Sequence, residues 1–429
     1  MGKFVINGRR PVSGTHRVPG NKNAALPMIA ASLLASAPVT LQEVPDIADV
    51  RVMLQLAKKL GCAVRHDRAA RSVRISAAKL RSTRIDHLLA SRVRTSVLFA
   101  GPLLARLGGA TIFPPGGDAI GHRRLDTHID GFRALGAKVK AGCRALRLEA
   151  KRLAGTRIVL DEASVTATEN LMMGASLAEG VTEIYNAACE PHIRNLGEML
   201  CAMGAKISGL GANLIRIEGV QELGGCEARV VSDTIEAASY LTAAVVTGGQ
   251  LTLENVEPDD FDVIGRVFRR FGVKWTIDAE KRTLHLPAAQ RLKMRYDLGD
   301  TIPRISDGPW PMFPSDLISI LIVLASQTRG QCLFFEKMFE SRLYFVDHLI
   351  GMGAKIVQCD PHRVVVSGKS QLRGTTVASP DIRAGIALII AALCARGTTE
   401  ILNAESIDRG YERVEERLSA LGADIKRVD

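Results

Sequence analysis

Several things are scarce in this 429-residue chain. Aromatic residues make up only 4% of it, so a large core must be built from aliphatic side chains. The eight cysteines, at positions 62, 143, 189, 201, 226, 332, 359 and 394, are scattered and form no Cys-x-x-Cys pair. In a chain of this size they read as reduced, mostly buried thiols of a cytoplasmic protein. Cysteine and histidine do not cluster at ligand spacing, which argues against a zinc site or another metal centre. No apolar helix reaches the roughly 20 residues that a bilayer crossing needs. The segment from Met1 to Asn7 reads as the start of a strand and not as a secretory signal. The net charge of +11 allows an anionic partner. Yet no Arg/Lys run interleaves with aromatics and no nucleic-acid motif occurs, so a small anionic substrate is favoured over nucleic acid. A basic amphipathic anchor for a membrane surface is missing as well.

What the chain does have is repetition. Six times a nearly all-apolar helix is followed by a strand-like run, an amphipathic helix and a Gly-closed turn into another strand. The closing turns are Leu60-Gly61-Cys62, Leu135-Gly136-Ala137-Lys138, Met203-Gly204-Ala205-Lys206, Phe271-Gly272-Val273-Lys274, Met352-Gly353-Ala354-Lys355 and Leu421-Gly422-Ala423-Asp424. They recur roughly every 70–80 residues, a period that fits a small α/β module used six times.

The apolar helices are read at 24–35, 95–107, 169–178, 236–246, 317–325 and 384–395. Most lack a polar face, so protein must surround them. They are too short to span a bilayer and are therefore buried core helices. All six begin with polar residues: Asn21-Lys22-Asn23, Arg92 and Arg94, Thr168-Glu169-Asn170, Asp233 with Glu236, Ser315-Asp316, and Asp381 with Arg383. Caps account for the Ser, Thr, Asn and Asp residues. They do not account for Lys and Arg, which the helix dipole disfavours at that end. Basic residues at several helix starts point to a shared anion.

A chain of this length holds two or three domains. Six modules divide most simply into three and three, giving two α/β domains with buried helices; that these are inside-out barrels with outer sheets is what the family resemblance given below implies. The expected domains are 22–231, and 1–21 plus 232–429, with a hinge where the chain crosses twice. One module breaks the pattern with a long Pro/Gly-rich loop, Pro114 to Arg124, which carries Asp118, Arg123 and Arg124 at its tip. Such a loop suits a lid that brings an acid and an anion clamp to a site.

At this point the residues carry a resemblance. Asn21-Lys22-Asn23-Ala24-Ala25-Leu26-Pro27, the Pro-Gly-Gly loop, Ser164-Val165 with Ala167-Thr168-Glu169-Asn170, Phe313-Pro314-Ser315-Asp316, Asp381-Ile382-Arg383 and Asp408-Arg409-Gly410-Tyr411-Glu412-Arg413 together resemble the enolpyruvyl transferases from end to end. The resemblance implies transfer of enolpyruvate from phosphoenolpyruvate to the 3-hydroxyl of UDP-N-acetylglucosamine, through a tetrahedral ketal, in peptidoglycan synthesis. No cofactor is implied. Lys22, Arg123 and Arg409 match the family's phosphoenolpyruvate contacts, and Asn23 matches a sugar contact. Asp316 matches the carboxylate beside the accepting hydroxyl, and Asp118 holds the loop position of the acid. Arg94, the run Arg123, Arg124, Leu125, Asp126 and Thr127, the run Glu162, Ala163, Ser164 and Val165, together with Met338 and Arg383, match nucleotide-sugar contacts. The residue-level alternatives are a helix cap for Asp316, structural ion pairs for Lys22 and Arg409, and a core position for Met338.

The chain also departs from the family. Asp118 stands where Cys is usual, and enzymes with that Cys are alkylated by the epoxide fosfomycin. Thr166 replaces a usual Gly, Thr234 a common Arg, Trp310 an occasional His and Arg124 a flanking Pro, while Glu162 puts an acid near a diphosphate. These changes bear on the acceptor more than on the reaction. Two alternatives therefore stand beside the leading reading: an enolpyruvyl transferase for another nucleotide or sugar, and a non-catalytic homologue that binds a nucleotide sugar.

Overall fold

The structure is a computed structural model that describes residues 2–142 and 144–428; Cys143 lies outside the described residues. Two compact units form. One comprises 20–117 and 123–231, and the other 1–19, 118–122 and 232–429.

The six apolar segments are helices with somewhat different ends. The first starts earlier than expected, at Lys22–Ala31, and tightens into a 3-10 turn over Ser32–Leu34. Its start is set by Asn21, whose side chain accepts the Ala24 N–H at 3.1 Å. The second opens as a 3-10 helix, Arg94–Phe99, before continuing over Ala100–Leu107. The remaining four are Val165–Ala175, Thr234–Thr247, Ile318–Gln327 and Ile382–Cys394. Asp233 and Asp381 cap two of them. Every residue of Ile318–Gln327 is buried, as its lack of a polar face requires. In the unit holding 232–429, helices 234–247, 318–327 and 382–394 pack against one another. In the other unit, 94–107 packs against both 22–31 and 165–175.

The sheets lie around these helices and repeat one plan. An edge strand runs parallel to the strand that follows the buried helix, and two antiparallel strands complete the set. The order 227–229, 39–42, 72–76, 63–67 illustrates it. Five sheets have four strands; in the second module the edge strand shrinks to a bridge between Arg84 and Thr111. Amphipathic helices such as Ala48–Leu60 and Asp260–Arg270 bury one side in each module. All six closing glycines take a positive φ, from 83° to 109°, which lets the chain reverse without a Cβ clash.

Strand exchange closes both units. Glu227–Arg229, late in its unit, pairs with Val39–Gln42. The N-terminal segment forms two strands. Lys3–Asn7 inserts between Thr398–Leu402 and Asp424–Val428, and Gly14–Arg17 runs beside Leu251–Glu254.

The cysteines need a correction. Cys62 and Cys332 are buried, Cys189, Cys201, Cys226 and Cys394 are half-buried, and Cys359 is exposed on an outer strand. All seven are free thiols. The half-buried thiols lie outside strands, Cys201 on the outer helix Pro191–Ala202 and Cys394 at the end of a core helix, where one side is less covered than expected. Where burial is deep, it pushes the thiol up, to about 12 for Cys332 and about 11 for Cys62.

The helical core should dominate stability. Leu321→Ala, at a fully buried position, should cost about 2–5 kcal/mol. Val357→Ala, on the surface of an outer strand, should cost no more than about 0.5 kcal/mol. Urea melts of the two variants check this, and equal midpoints would contradict it.

Candidate active site

In the unit holding 20–117 and 123–231, the candidate residues gather at helix starts. Lys22 occupies the first position of its helix and is buried there. Its Nζ lies 2.7 Å from Asp49 Oδ2, a buried carboxylate in the first turn of Ala48–Leu60. That carboxylate compensates a cation at the positive end of a dipole. Asn23 follows, half-buried. Arg94 opens the next helix, and its Nη2 donates to the carbonyls of Arg123 at 2.8 Å and Arg124 at 3.0 Å. Burial, and then the Arg123 charge, pull the Arg94 pKa down to about 10, against the opposing pull of Glu162. Gly117 reaches this group at φ 116°, where an added Cβ would come within 2.9 Å of Arg94 Cβ, so the loop passes Arg94 only without a side chain.

Beyond the loop, Arg124 pairs with Asp161 at 2.9 Å. Asp161 also accepts Thr127 Oγ1 at 2.7 Å, with Glu162 at 3.4 Å from the same hydroxyl. Leu125 and Asp126 begin the helix Asp126–Ala134. Ser164 stands at the start of Val165–Ala175, its hydroxyl making no capping bond, and Ala163 beside it is half-buried. Beneath them lies His128, which sequence reasoning passed over. Its Nδ1 accepts the Asn170 amide at 3.0 Å, and its Nε2 faces Thr166 Oγ1 at 3.0 Å. Burial, and then Arg94, lower its pKa to about 3, so the ring is neutral. Thr166, read from the sequence as a departure, contacts this buried histidine.

The unit holding 118–122 and 232–429 carries the carboxylates. Asp316 lies in the 3-10 turn Ser315–Leu317 and caps nothing with its side chain. Instead its Oδ1 accepts Arg342 Nη2 at 3.0 Å, and its Oδ2 accepts Arg383 Nε at 3.0 Å and Nη2 at 2.7 Å. Burial works against the Arg383 charge, but Asp316, Tyr411 and Asp233 outweigh it and raise its pKa. Two guanidiniums on one carboxylate fix its plane. Arg383, expected as a ligand contact, is in this structure a partner of Asp316. Asp118 Oδ1 lies 2.5 Å from Arg409 Nη1. Arg409 ends the 3-10 turn Ala404–Arg409, and Arg427 grips the preceding Asp408 at 2.5 and 3.0 Å and Glu415 at 2.8 Å. The loop tip is tied down too, because Glu340 accepts the His122 N–H at 2.8 Å and the Ile120 carbonyl accepts Ser341 N–H at 3.0 Å. Met338 is 39% exposed and is no core residue.

Lys22 and Arg409 both form the ion pairs weighed as alternatives. Neither pair excludes ligand binding, since an anion can compete for the same cation. Sequence reasoning missed Asp49, His128, Arg342 and Arg427. A cavity of 1410 Å³ also opens in the first of these units. It is lined by Arg106, Lys138, Glu149, Arg152 and Glu179 at the far ends of helices 100–107 and 165–175, away from every candidate residue.

Comparison with known proteins follows from this geometry. The fold is that of solved enolpyruvyl transferases. The enolpyruvyl transferase NikO from Streptomyces tendae superposes with a TM-score of 0.88 at 22% identity, covering 100% of this chain and 99% of that one. An EPSP synthase from Acinetobacter baumannii gives 0.76 at 19% identity, with all of both chains covered. Residues 6–418 match the EPSP synthase (3-phosphoshikimate 1-carboxyvinyltransferase) family, and the chain belongs to that family. Among curated relatives, the UDP-N-acetylglucosamine 1-carboxyvinyltransferase of Treponema denticola is 50% identical over 427 residues, 99% of each chain. The protein of the same name from Treponema pallidum is 49% identical over 425 residues, again 99% of each chain.

Arg427 touches no predicted ligand contact, yet it holds the residue before Arg409. Lys cannot reproduce its three-way grip. Arg427→Lys should leave the melting midpoint within a few degrees while phosphoenolpyruvate affinity falls about tenfold, the weight of one charge-assisted bond. Isothermal titration with phosphoenolpyruvate reads this, and unchanged affinity would show that the Asp408–Arg409 turn needs no such brace.

Proposed function

We propose that this protein transfers the enolpyruvyl group of phosphoenolpyruvate to the 3-hydroxyl of UDP-N-acetylglucosamine and releases phosphate. The observation that carries the reading is Asp316, a carboxylate held in one plane by Arg342 and Arg383. The names of the Treponema relatives support the choice of acceptor. In this reading Lys22, Arg123 and Arg409 bind the charges of phosphoenolpyruvate. Asn23 meets the sugar, and Asp316 orients the accepting hydroxyl and takes its proton. The hydroxyl oxygen bonds to carbon 2 while carbon 3 gains a proton, giving a tetrahedral ketal. Carbon 3 then loses a proton, the bond from carbon 2 to the phosphate oxygen breaks, and inorganic phosphate leaves.

Asp118 is the proton donor in this scheme. Its carboxylate rests on Arg409. A bound anion competes for that guanidinium and would free the Asp118 carboxyl to face carbon 3. Arg94, Arg124 to Thr127, Glu162 to Val165, Met338 and Arg383 form the nucleotide side. The reaction belongs to peptidoglycan precursor synthesis in the cytoplasm; among the described residues no helix is long and apolar enough to cross a membrane. A second reading has one observation in its favour. The nucleotide side carries Glu162 and the Arg124–Asp161 pair, charges that another nucleotide or sugar acceptor would meet differently.

Phosphate release from phosphoenolpyruvate, screened against UDP-N-acetylglucosamine and a panel of nucleotides and sugars, tests the reading. Release with UDP-N-acetylglucosamine alone is expected. Release with a different acceptor would establish the second reading, and release with none would leave a binding protein. Asp316→Ala should lower turnover by about 100- to 10,000-fold with less effect on acceptor binding, as loss of a positioned base does.

The loop carboxyl gives an independent check. Fosfomycin should leave the wild type unlabelled, because a carboxylate attacks an epoxide more slowly than a thiolate. Asp118→Cys should become sensitive, and Asp118→Asn should lose most activity, since an amide supplies no catalytic proton. Labelling of the wild type at Asp118, or full activity of the Asn variant, would remove Asp118 from the acid role.

A further inference from the structure

Behind Asp316 lies a second pair of carboxyls that the reaction scheme does not use. Asp307, just past the strand Arg304–Ser306, and Glu336, just past Gly330–Phe335, are both 0% exposed. Glu336 Oε1 accepts the backbone N–H groups of Met338 and Phe339, each at 3.1 Å. The Ser315 hydroxyl lies 2.9 and 3.0 Å from its two oxygens. Asp307 Oδ1 accepts the Lys337 N–H at 2.6 Å, while its Oδ2 is buried without a hydrogen-bond partner. The backbone sets the two carboxyls side by side, since the Asp307 N–H donates to the Phe335 carbonyl at 3.4 Å. Two buried carboxyls so placed resist a second negative charge, which favours a proton on one of them.

The pair touches Asp316 through Arg342. This guanidinium is 4% exposed. Its Nη2 bonds Asp316 at 3.0 Å, its Nε lies 3.9 Å from Glu336 Oε2, and both Nε and Nη1 are buried without a hydrogen bond. Arg342 is therefore shared between the two carboxylate sites and is fully engaged with Asp316 alone. Ser315, next to Asp316 in the chain, is the second link.

We propose that Asp307 and Glu336 hold one proton between them and act, through Arg342, as a positioning pair that keeps Asp316 in place. The proposal rests on the reading of Asp316 as the group that meets the accepting hydroxyl. While the proton is held, the pair carries one negative charge and Arg342 stays on Asp316. When the proton leaves, two buried carboxylates face each other, and Glu336 draws the unpaired Nε of Arg342 toward itself. Asp316 then keeps Arg383 and loses its second brace.

The groups around Glu336 set the direction. Burial comes first, followed by the neighbouring Asp307 carboxyl; together they raise its pKa from 4.5 to about 8. Arg342 and Ser315 pull the other way. From the neighbouring strand, His362 Nδ1 contacts the Glu336 carbonyl oxygen at 2.7 Å, and Lys337 reaches Asp307 through its backbone. A carboxyl raised in the folded state favours folding below its unfolded pKa. That contribution fades as pH rises through the folded value. Stability and turnover should thus both decline toward about pH 8.

Glu336→Gln keeps the shape and the hydrogen bonds of the neutral acid and has no proton to lose. Asp307→Asn removes the charge that helps Glu336 keep its proton. The alkaline limb of kcat should move up by about one pH unit or more in Glu336→Gln and down in Asp307→Asn, with KM for either substrate changing less than about twofold. A limb that stays put in both variants overturns the proposal. Infrared titration of the wild type, which needs no turnover, gives a second readout. A buried protonated carboxyl band should be present near neutral pH, vanish as pH rises through about 8 and be missing in Glu336→Gln. Absence of that band in the wild type also overturns the pair. If instead the band titrates as expected while no acceptor releases phosphate, the pair stands and the reading of Asp316 fails.

Discussion

A helix with no polar side cannot face water, and most of the six apolar helices here are of that kind. Ile318–Gln327 is buried along its whole length, and Ile382–Cys394 nearly so. Three such helices can only be hidden against one another, which pushes the sheets to the outside of each unit. Charge then has few places to go. Strand faces that meet water take some of it. The helix starts, where free N–H groups need partners, take the part that matters for chemistry. Lys22, Arg94, Asp316 and Arg383 all sit there.

Having gathered there, the charges are compensated one by one. Asp49 answers Lys22, backbone carbonyls answer Arg94, two arginines answer Asp316, and Arg409 answers Asp118. The helix starts are thus charged but balanced, and are not a bare positive surface. An anion at one of these cations would compete with a protein carboxylate or carbonyl. The Asp118–Arg409 pair, a loop carboxylate on a guanidinium, is the plainest case. Backbone supports such as Arg427 on Asp408 and Glu340 on His122 keep these groups in register while partners exchange.

Much of this was legible beforehand. The closing turns gave themselves away because Gly61, Gly136, Gly204, Gly272, Gly353 and Gly422 each occupy a left-handed position that other residues resist. Apolar periodicity located all six helices, but it put the first start at 24 and missed Lys22. An N-terminal cation contradicts the dipole rule until Asp49, from another helix, is seen beside it. The 3-10 openings at Arg94 and Ser315 were hidden for a similar reason, since tertiary contacts and not local preference tighten those turns. Arg342, Glu336, Asp307 and His128 were invisible because burial and pairing across modules leave no local pattern. Cys359 was misjudged because its strand faces outward. Motif resemblance identified Asp316 and Arg383, yet only the geometry joined one to the other.

The account stands or falls on which bond of phosphoenolpyruvate breaks. Addition at carbon 2 followed by elimination cleaves the bond between carbon and the bridging oxygen, so that oxygen departs with phosphorus. Phosphoenolpyruvate labelled with oxygen-18 at the bridge, incubated with the protein and UDP-N-acetylglucosamine, should yield phosphate that retains the label, together with a vinyl ether on the sugar's 3-oxygen. Unlabelled phosphate accompanied by pyruvate would mean cleavage at phosphorus, and would contradict the assignment of Asp316 and Asp118 to an addition–elimination.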